Sequence, residues 1–135
     1  MRTILISGAS SGIGQNIAYR ELKNGNRISI GIRDLDSIKG SIIDPNKWPK
    51  GKILINKYDA LEKLTAETWI KNTINHYGGF DSLINCSGIL SKIPFLYKKG
   101  DEEEILNTFN INFLAIWNLC RLSWEQLAKS NNGRI

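Results

Sequence analysis

The sequence predicts an α/β fold built on a parallel sheet, and three observations support this. Apolar strand-like runs alternate with amphipathic helical patterns along the chain. The first run passes directly into a glycine-spaced turn that opens a helix, and a further glycine ends that helix just before the second run. Such alternation is typical of crossovers that place parallel strands in one sheet with helices on both faces. We therefore predict a doubly wound sheet in one domain over residues 1–135.

The elements follow in order along the chain. The predicted strands are Thr3–Ser7, Arg27–Ile32, Lys52–Lys57 and Asp81–Asn85, and the predicted helices cover about Ile13–Lys23, Ala60–Tyr77 and Asp101–Lys129. Asn24-Gly25-Asn26 predicts the end of the first helix, with glycine at the left-handed capping position. The segment between Asp34 and Gly51 contains glycine and two prolines, and it predicts a loop with one helical turn near Ser37.

The last predicted helix carries apolar residues at steps of three and four. One face is formed by Leu106, Phe109, Phe113, Ile116, Cys120, Trp124 and Leu127, and a second by Ile111, Leu114 and Leu122. One face can pack on the sheet, and the other then needs a partner, which is either a second subunit or a further part of the same domain. The acidic run Asp101–Glu104 complements the helix dipole in the first turn, so we interpret it as a solvated cap and not as a metal site.

The glycine-spaced turn is the candidate ligand site. Its glycines allow a tight turn, close approach of backbone N–H groups to a pyrophosphate and close seating of the helix on the strand. The glycine spacing alone fits an ordinary loop equally well, so other segments of the chain are needed to distinguish a phosphate-binding turn from a loop. The residues assigned to phosphate binding are Gly8, Ser10, Ser11, Gly12, Ile13 and Gly14.

Several segments in order along the chain resemble one enzyme family. Ser7 to Gly14 resembles the Thr-Gly-x-x-x-Gly-x-Gly turn of the short-chain dehydrogenase/reductase family, with Ser7 in place of Thr. Asn85-Cys86-Ser87-Gly88 resembles the family's Asn-Asn-Ala-Gly, Asn110-Ile111-Asn112-Phe113 its Asp-Val-Asn-Leu, and Gly133-Arg134-Ile135 its entry into strand five. The resemblance covers Met1 to Ile135. It implies a Rossmann-like sheet with strand order 3-2-1-4.

The resemblance also implies roles for individual residues. Asp59 is expected to meet the adenine amino group, although the residue also fits an ordinary strand end. Asn85 and Gly88 are expected to lie in a loop that runs beside the adenosine ribose. The alternative is that the Asn85 amide ties neighbouring strands together. Asn112 is implied as a member of the catalytic Asn-Ser-Tyr-Lys set, acting through water toward the lysine. A side chain that simply bonds a backbone carbonyl is the alternative.

The end of the second strand predicts the cofactor. A carboxylate there binds a ribose 2′-OH, whereas an arginine accepts a 2′-phosphate. Ile32 occupies the place of the carboxylate and Arg33 follows it, so NADP is favoured over NAD. Asp34 leaves an alternative open, in which Arg33 is structural and pairs with Asp34.

The chain lacks the family's catalytic Ser and Tyr-x-x-x-Lys in their expected places. Tyr19 and Lys23 have the right spacing, but they lie well past the helix start, so we interpret them as packing and solvated residues. The resemblance implies an oxidoreductase that transfers hydride between nicotinamide and a small carbonyl or alcohol, present here as its cofactor-binding part and catalytically silent alone. The alternative is a non-catalytic dinucleotide sensor or interaction module.

Composition limits the other function classes. The net charge is +5, but no arginine-rich helix accompanies it, so we expect no nucleic-acid partner. Cys86, Cys120 and the single histidine lack the spacing of a metal site, and the thiols are expected to be reduced. No signal peptide or membrane span is predicted, which favours a cytoplasmic protein. The resemblance also suggests a homo-oligomer formed through the helix at 101–129.

Overall fold

The computed structural model describes residues 1–135 and contains a four-stranded parallel sheet. Its strands are β1 (Thr3–Ser7), β2 (Arg27–Ile32), β3 (Ile53–Lys57) and β4 (Ser82–Asn85), in the order β3-β2-β1-β4. Every pairing is parallel, and Ile6 lies opposite both Ile30 and Ile84. The predicted α/β class and strand order are therefore confirmed.

Helices connect the strands on both faces of the sheet. They are α1 (Gly12–Lys23), α2 (Lys63–Tyr77), α3 (Glu102–Phe109) and α4 (Ala115–Lys129), with short 3-10 turns at Leu35–Ile38 and Pro45–Lys47. Gly25 has φ +82°, as the predicted helix stop requires. Helix α2 begins three residues later than Ala60, because the Asp59 carboxylate accepts the Leu61 N–H at 2.9 Å and forms a turn first.

The last helix differs from the prediction of one regular helix. Residues Asn110–Leu114 form a π-helical turn between α3 and α4. A π turn inserts one residue into the repeat, which rotates the following side chains by about 100°. The buried side of α4 is therefore Ala115, Leu119, Ser123 and Leu127. The predicted continuous apolar face is therefore divided: Leu127 is buried, whereas Leu106, Phe109, Phe113 and Trp124 are exposed, so the prediction of one continuous packing face was wrong.

The core consists of two apolar layers, one on each side of the sheet. Alternate residues of β1 separate them: Ile4 and Ile6 pack with α1 and the loop after β2, and Leu5 packs with α2 and α4. Trp69 and Phe80 are the largest side chains with almost no exposed surface, and both lie in the second layer. No helix combines the length and the apolar character that a membrane crossing requires.

Candidate functional site

A cleft of about 580 Å³ opens at the carboxyl ends of the parallel strands. It is bounded by the turn after β1, the ends of β2 and β3 and the loop after β4. Ligands of open α/β sheets bind at this edge. The predicted residues that line the cleft are Gly8, Ser10, Ser11, Gly12, Ile13, Gly14, Arg33, Asp59 and Gly88. Asn85 and Asn112 do not line it.

The glycines of the turn are required by close backbone contacts. A Cβ on Gly14 would lie 2.5 Å from the Gly8 carbonyl oxygen, so only glycine lets α1 sit on the turn. A Cβ on Gly8 would lie 2.8 Å from the Ser87 nitrogen, in the loop after β4. Gly8 also donates its N–H to the Gly31 carbonyl at 3.0 Å, which ties the turn to β2. These contacts support the predicted close seating of helix on strand.

The first turn of α1 is suited to an anion. The preceding residue, Ser11, makes no side-chain cap, and the turn contains no acidic residue. The first N–H groups of a helix have no partner within the helix and carry partial positive charge. Gly12 has φ +56°, and a Cβ there would meet nothing within 4 Å. The turn therefore has open space and free donors where a pyrophosphate would lie.

Ser7 connects this turn to the loop after β4. Its buried hydroxyl oxygen accepts the N–H groups of Cys86 and Ser87 at 3.2 and 3.3 Å. The contact places Cys86, Ser87 and Gly88 along one wall of the cleft. Sequence reasoning treated Ser7 only as a substitute for Thr. The signal was available, since a hydroxyl-bearing residue directly before Gly8 is able to hold a neighbouring strand's loop.

Arg33 stands free at the cleft. Its side chain is exposed, and the only ion pair of the structure joins Lys39 to Asp36 at 2.8 Å. The Asp34 carboxylate instead accepts the Asp36 N–H at 2.9 Å, because it caps the 3-10 turn that follows β2. The alternative in which Arg33 pairs with Asp34 is therefore absent. The Arg33 guanidinium therefore has no carboxylate partner and is available to a ligand in the cleft.

Tyr58 and Asp59 form the wall at the end of β3. Tyr58 is 4% exposed, and burial raises the pKa of its phenol to about 12. Asp59 lines the cleft while its carboxylate accepts the Leu61 N–H. Sequence reasoning did not select Tyr58 as a cleft residue. Its position directly before Asp59 at a strand end was the signal that pointed to it.

Asn85 lies behind the cleft and faces α4. Its amide nitrogen approaches the Cys120 sulfur at 3.8 Å, and its amide oxygen is buried without a partner. The side chain thus links the end of β4 to a helix of the second core layer. Its predicted contact with a ribose stays a prediction.

Asn112 lies in the π-helical turn and holds the loop after β4. Its amide nitrogen donates to the Ile89 carbonyl at 2.8 Å, and its amide oxygen accepts the Ile89 N–H at 2.9 Å. Ile89 and Ile111 both line the cleft. Both polar groups of the amide are therefore paired with backbone, although the residue is exposed. The alternative, a side chain that bonds a backbone carbonyl, is therefore observed. The catalytic role implied for Asn112, acting through water toward a lysine, stays a prediction.

Tyr19 and Lys23, which have the spacing of a Tyr-x-x-x-Lys pair, lie away from the cleft. Tyr19 packs edge-on against Trp48 at 5.9 Å between ring centroids, and the Lys23 ammonium lies 5.6 Å from the Tyr19 ring. Tyr19 is thus a packing residue and Lys23 is exposed, as expected. Burial raises the pKa of the Cys86 thiol. No group of three His, Cys, Asp or Glu side chains is arranged to hold a metal ion.

Comparisons with known proteins agree with this geometry. The family model described as short chain dehydrogenase matches residues 2–135. The chain is 33% identical over 136 residues to 11-beta-hydroxysteroid dehydrogenase B of Sesamum indicum, which covers 99% of the chain and 36% of that protein. It is 28% identical over 132 residues to agropine synthesis reductase of Rhizobium rhizogenes, covering 98% of the chain and 30% of that protein.

A solved structure gives the same fold. The putative 3-oxoacyl-reductase from Bacillus thuringiensis superposes with a TM-score of 0.86 at 21% identity, over 100% of this chain and 55% of that chain. At this level of identity the likeness concerns the fold alone. The chain spans about a third of the length of both curated relatives described above.

Proposed function

The chain belongs to the short-chain dehydrogenase family, and on this premise we propose that it forms the NADP-binding part of an oxidoreductase. The complete enzyme transfers hydride between the nicotinamide ring and the carbon of a small carbonyl compound or alcohol. When bound, the cofactor would donate hydride to a carbonyl carbon as NADPH, or accept hydride from an alcohol as NADP+. The residues of this chain bind and orient the dinucleotide.

The observation that carries the choice of NADP is the free guanidinium of Arg33. A 2′-phosphate is recognised through charge and paired N–H donors, which a guanidinium provides. Recognition of an unphosphorylated ribose needs an acceptor at the end of β2. Ile32 provides none. Asp34 lines the cleft, but one oxygen of its carboxylate is directed to the Asp36 N–H in the cap of the 3-10 turn. The local chemistry therefore favours the phosphorylated cofactor.

The other cleft residues fit the same orientation of the dinucleotide, with the adenine at β3 and the pyrophosphate at the start of α1. In this proposal, the adenine amino group meets Asp59 at the end of β3, and the pyrophosphate lies on the N–H groups of Gly12, Ile13 and Gly14. The loop containing Gly88 borders the ribose. Asn112 acts as the member of the catalytic set that this chain holds, positioning that loop through Ile89.

Titration of the chain with NADPH and NADH tests the cofactor assignment. Replacing one charge-assisted phosphate contact changes binding by about 1.5 to 3 kcal/mol, so Arg33→Ala should weaken NADPH binding by at least about tenfold. NADH binding should stay unchanged. Lys39→Ala is the matched control, because Lys39 is an exposed cation that pairs with Asp36 and does not line the cleft. Equal affinity of the unaltered chain for both cofactors would refute the assignment.

Turnover requires groups that the resemblance places outside this chain. We propose that the 135-residue chain binds NADPH without reducing carbonyl compounds, because its Tyr19 and Lys23 lie outside the cleft. The assay is the loss of NADPH absorbance in the presence of a ketone. Carbonyl-dependent turnover that Tyr19→Phe abolishes would contradict this proposal.

We also propose that the α3–α4 segment contacts a second copy of the chain. Phe109, Phe113 and Trp117 form an exposed row, with successive ring centroids 5.0 and 5.9 Å apart. Trp117 and Trp124 are 64% and 65% exposed and lie away from the buried side at Leu119. Exposed apolar surfaces of this kind mark association sites. Sedimentation should detect a dimer that Trp117→Lys dissociates, and a monomer at every concentration would refute the proposal.

A further inference from the structure

Trp69 of α2 is held in a fixed orientation beneath the cleft. The residue has no exposed surface, and its indole Nε1 donates to the Ser29 hydroxyl oxygen at 2.9 Å. The Ser29 and Thr73 hydroxyl groups are 2.7 Å apart, and the Thr73 hydroxyl donates to the Trp69 carbonyl at 2.9 Å. Hydrogen bonds therefore fix both the ring and the backbone of this residue. Buried polar groups that are fully paired in this way specify one arrangement.

The other side of the indole lies against the backbone of β2. A Cβ on Gly31 would lie 2.6 Å from Trp69 Cζ3 and 2.8 Å from Tyr58 Cβ. No side chain therefore fits at Gly31 while Trp69 keeps its place. The Trp69 and Tyr58 rings are also in contact, with centroids 5.3 Å apart. One buried ring thus contacts both β2 and the residue that ends β3.

Both of these contacts lead directly into the cleft. Gly31 and Tyr58 line it, and the Gly31 carbonyl accepts the N–H of Gly8, the first glycine of the phosphate turn. A shift of the indole would move the phosphate turn and the β3 wall relative to each other. Binding sites lose affinity when their walls are displaced, because the ligand no longer meets all its donors together.

We propose that Trp69 is a positioning residue for dinucleotide binding, which sets the separation of the phosphate turn from the adenine wall without touching the ligand. The proposal rests on the proposed function for its ligand. Its structural part, the coupling from Ser29 through Trp69 and Gly31 to Gly8, does not depend on any ligand. If the Trp69 ring only filled the core, replacing it would lower stability, but it would change the hydrogen bond of the Gly8 N–H no more than replacing another core residue.

The first test measures amide hydrogen exchange of Gly8 in the ligand-free chain. Trp69→Phe removes the indole donor and shortens the ring, so Gly8 exchange should accelerate by about fivefold or more, with the amides at the centre of β1 unchanged. Phe80→Leu is the matched control, since Phe80 is a buried aromatic of the same core layer. Equal acceleration of Gly8 in both variants would overturn the proposal.

The second test uses adenosine 2′,5′-bisphosphate as the probe of the adenine half of the cleft. Trp69→Phe should weaken its binding about fivefold, whereas Phe80→Leu should change it less than twofold. Gly31→Ala should weaken binding further, because its new Cβ would lie 2.6 Å from the Trp69 ring and 2.8 Å from Tyr58 Cβ.

The outcomes separate the two proposals. If Trp69→Phe weakens binding of the probe no more than Phe80→Leu does, the coupling through the indole is refuted. If the unaltered chain does not bind the probe, the proposed function fails, and Gly8 exchange alone then decides the role of Trp69. Accelerated exchange confined to Trp69→Phe supports the proposal, and unchanged exchange overturns it.

Discussion

Three buried serines differ in their hydrogen-bond partners, so replacing each with alanine tests how much those partners contribute to the free energy of unfolding. Ser7, Ser29 and Ser123 each have no exposed surface. The Ser29 oxygen accepts the Trp69 indole N–H and, at 3.4 Å, an Asn56 amide N–H. The Ser7 oxygen accepts two backbone N–H groups, and the Ser123 oxygen has no partner. Replacing each serine with alanine removes the same atom from the same degree of burial. Differences in stability therefore report the partners that are left behind.

The magnitudes follow from which donors lose their acceptor. Ser29→Ala leaves the fully buried Trp69 N–H unpaired, which should lower the free energy of unfolding by about 2 kcal/mol. Ser7→Ala leaves only the half-buried Ser87 N–H unpaired, because Cys86 keeps the Ser7 carbonyl at 3.2 Å, so about 1 kcal/mol is expected. Ser123→Ala removes a hydroxyl that gained nothing from burial, so the change should be about 0 to 1 kcal/mol in the stabilising direction.

Thermal and urea unfolding measure these differences. The entropy of unfolding of a chain of 135 residues is about 0.28 kcal/mol/K. The expected changes in Tm are therefore about −7 °C for Ser29→Ala, about −4 °C for Ser7→Ala, and zero or slightly positive for Ser123→Ala. The urea dependence should stay unchanged if all variants unfold from the same compact state. A loss for Ser123→Ala as large as that for Ser29→Ala would refute the reasoning from hydrogen-bond partners.

Two further predictions concern the cleft. Because burial raises the pKa of Tyr58 to about 12 from 10.0, the folded chain holds the phenolic proton more tightly than the unfolded chain. The free energy of unfolding should therefore fall as pH rises between these values. Urea unfolding should detect a shallower fall in Tyr58→Phe, and an identical pH dependence would contradict the buried phenol. Gly14→Ala should lower Tm more than Gly88→Ala, because a Cβ on Gly88 would meet only the Asn112 side chain, with its oxygen nearest at 3.3 Å. Equal Tm losses would show that α1 tolerates displacement from the turn.

The local pattern of the chain was sufficient for the fold. The strand runs and the glycine stop at Gly25 depend on preferences of short segments, and the parallel crossovers follow from their alternation. The order of the strands was implied by the resemblance to the dehydrogenase family. The sequence also predicted the glycine turn, because the close backbone approach at Gly8 and Gly14 leaves no room for a side chain. Element ends were less accurate. Helix α2 begins later than predicted because the Asp59 side chain forms a turn first. An aspartate does not always form such a turn, so the sequence did not predict it.

What the sequence by itself determined was thus the α/β class, the strand order and most of the residues around the cleft. Only the tertiary structure decided which way their side chains point. The π turn at Asn110–Leu114 changed the buried side of α4, and contacts distant in sequence set the partners of Asp34, Asn112 and Trp69. The physical reason is that helical and strand periodicity is local, whereas hydrogen-bond partners depend on which elements the packed core brings together.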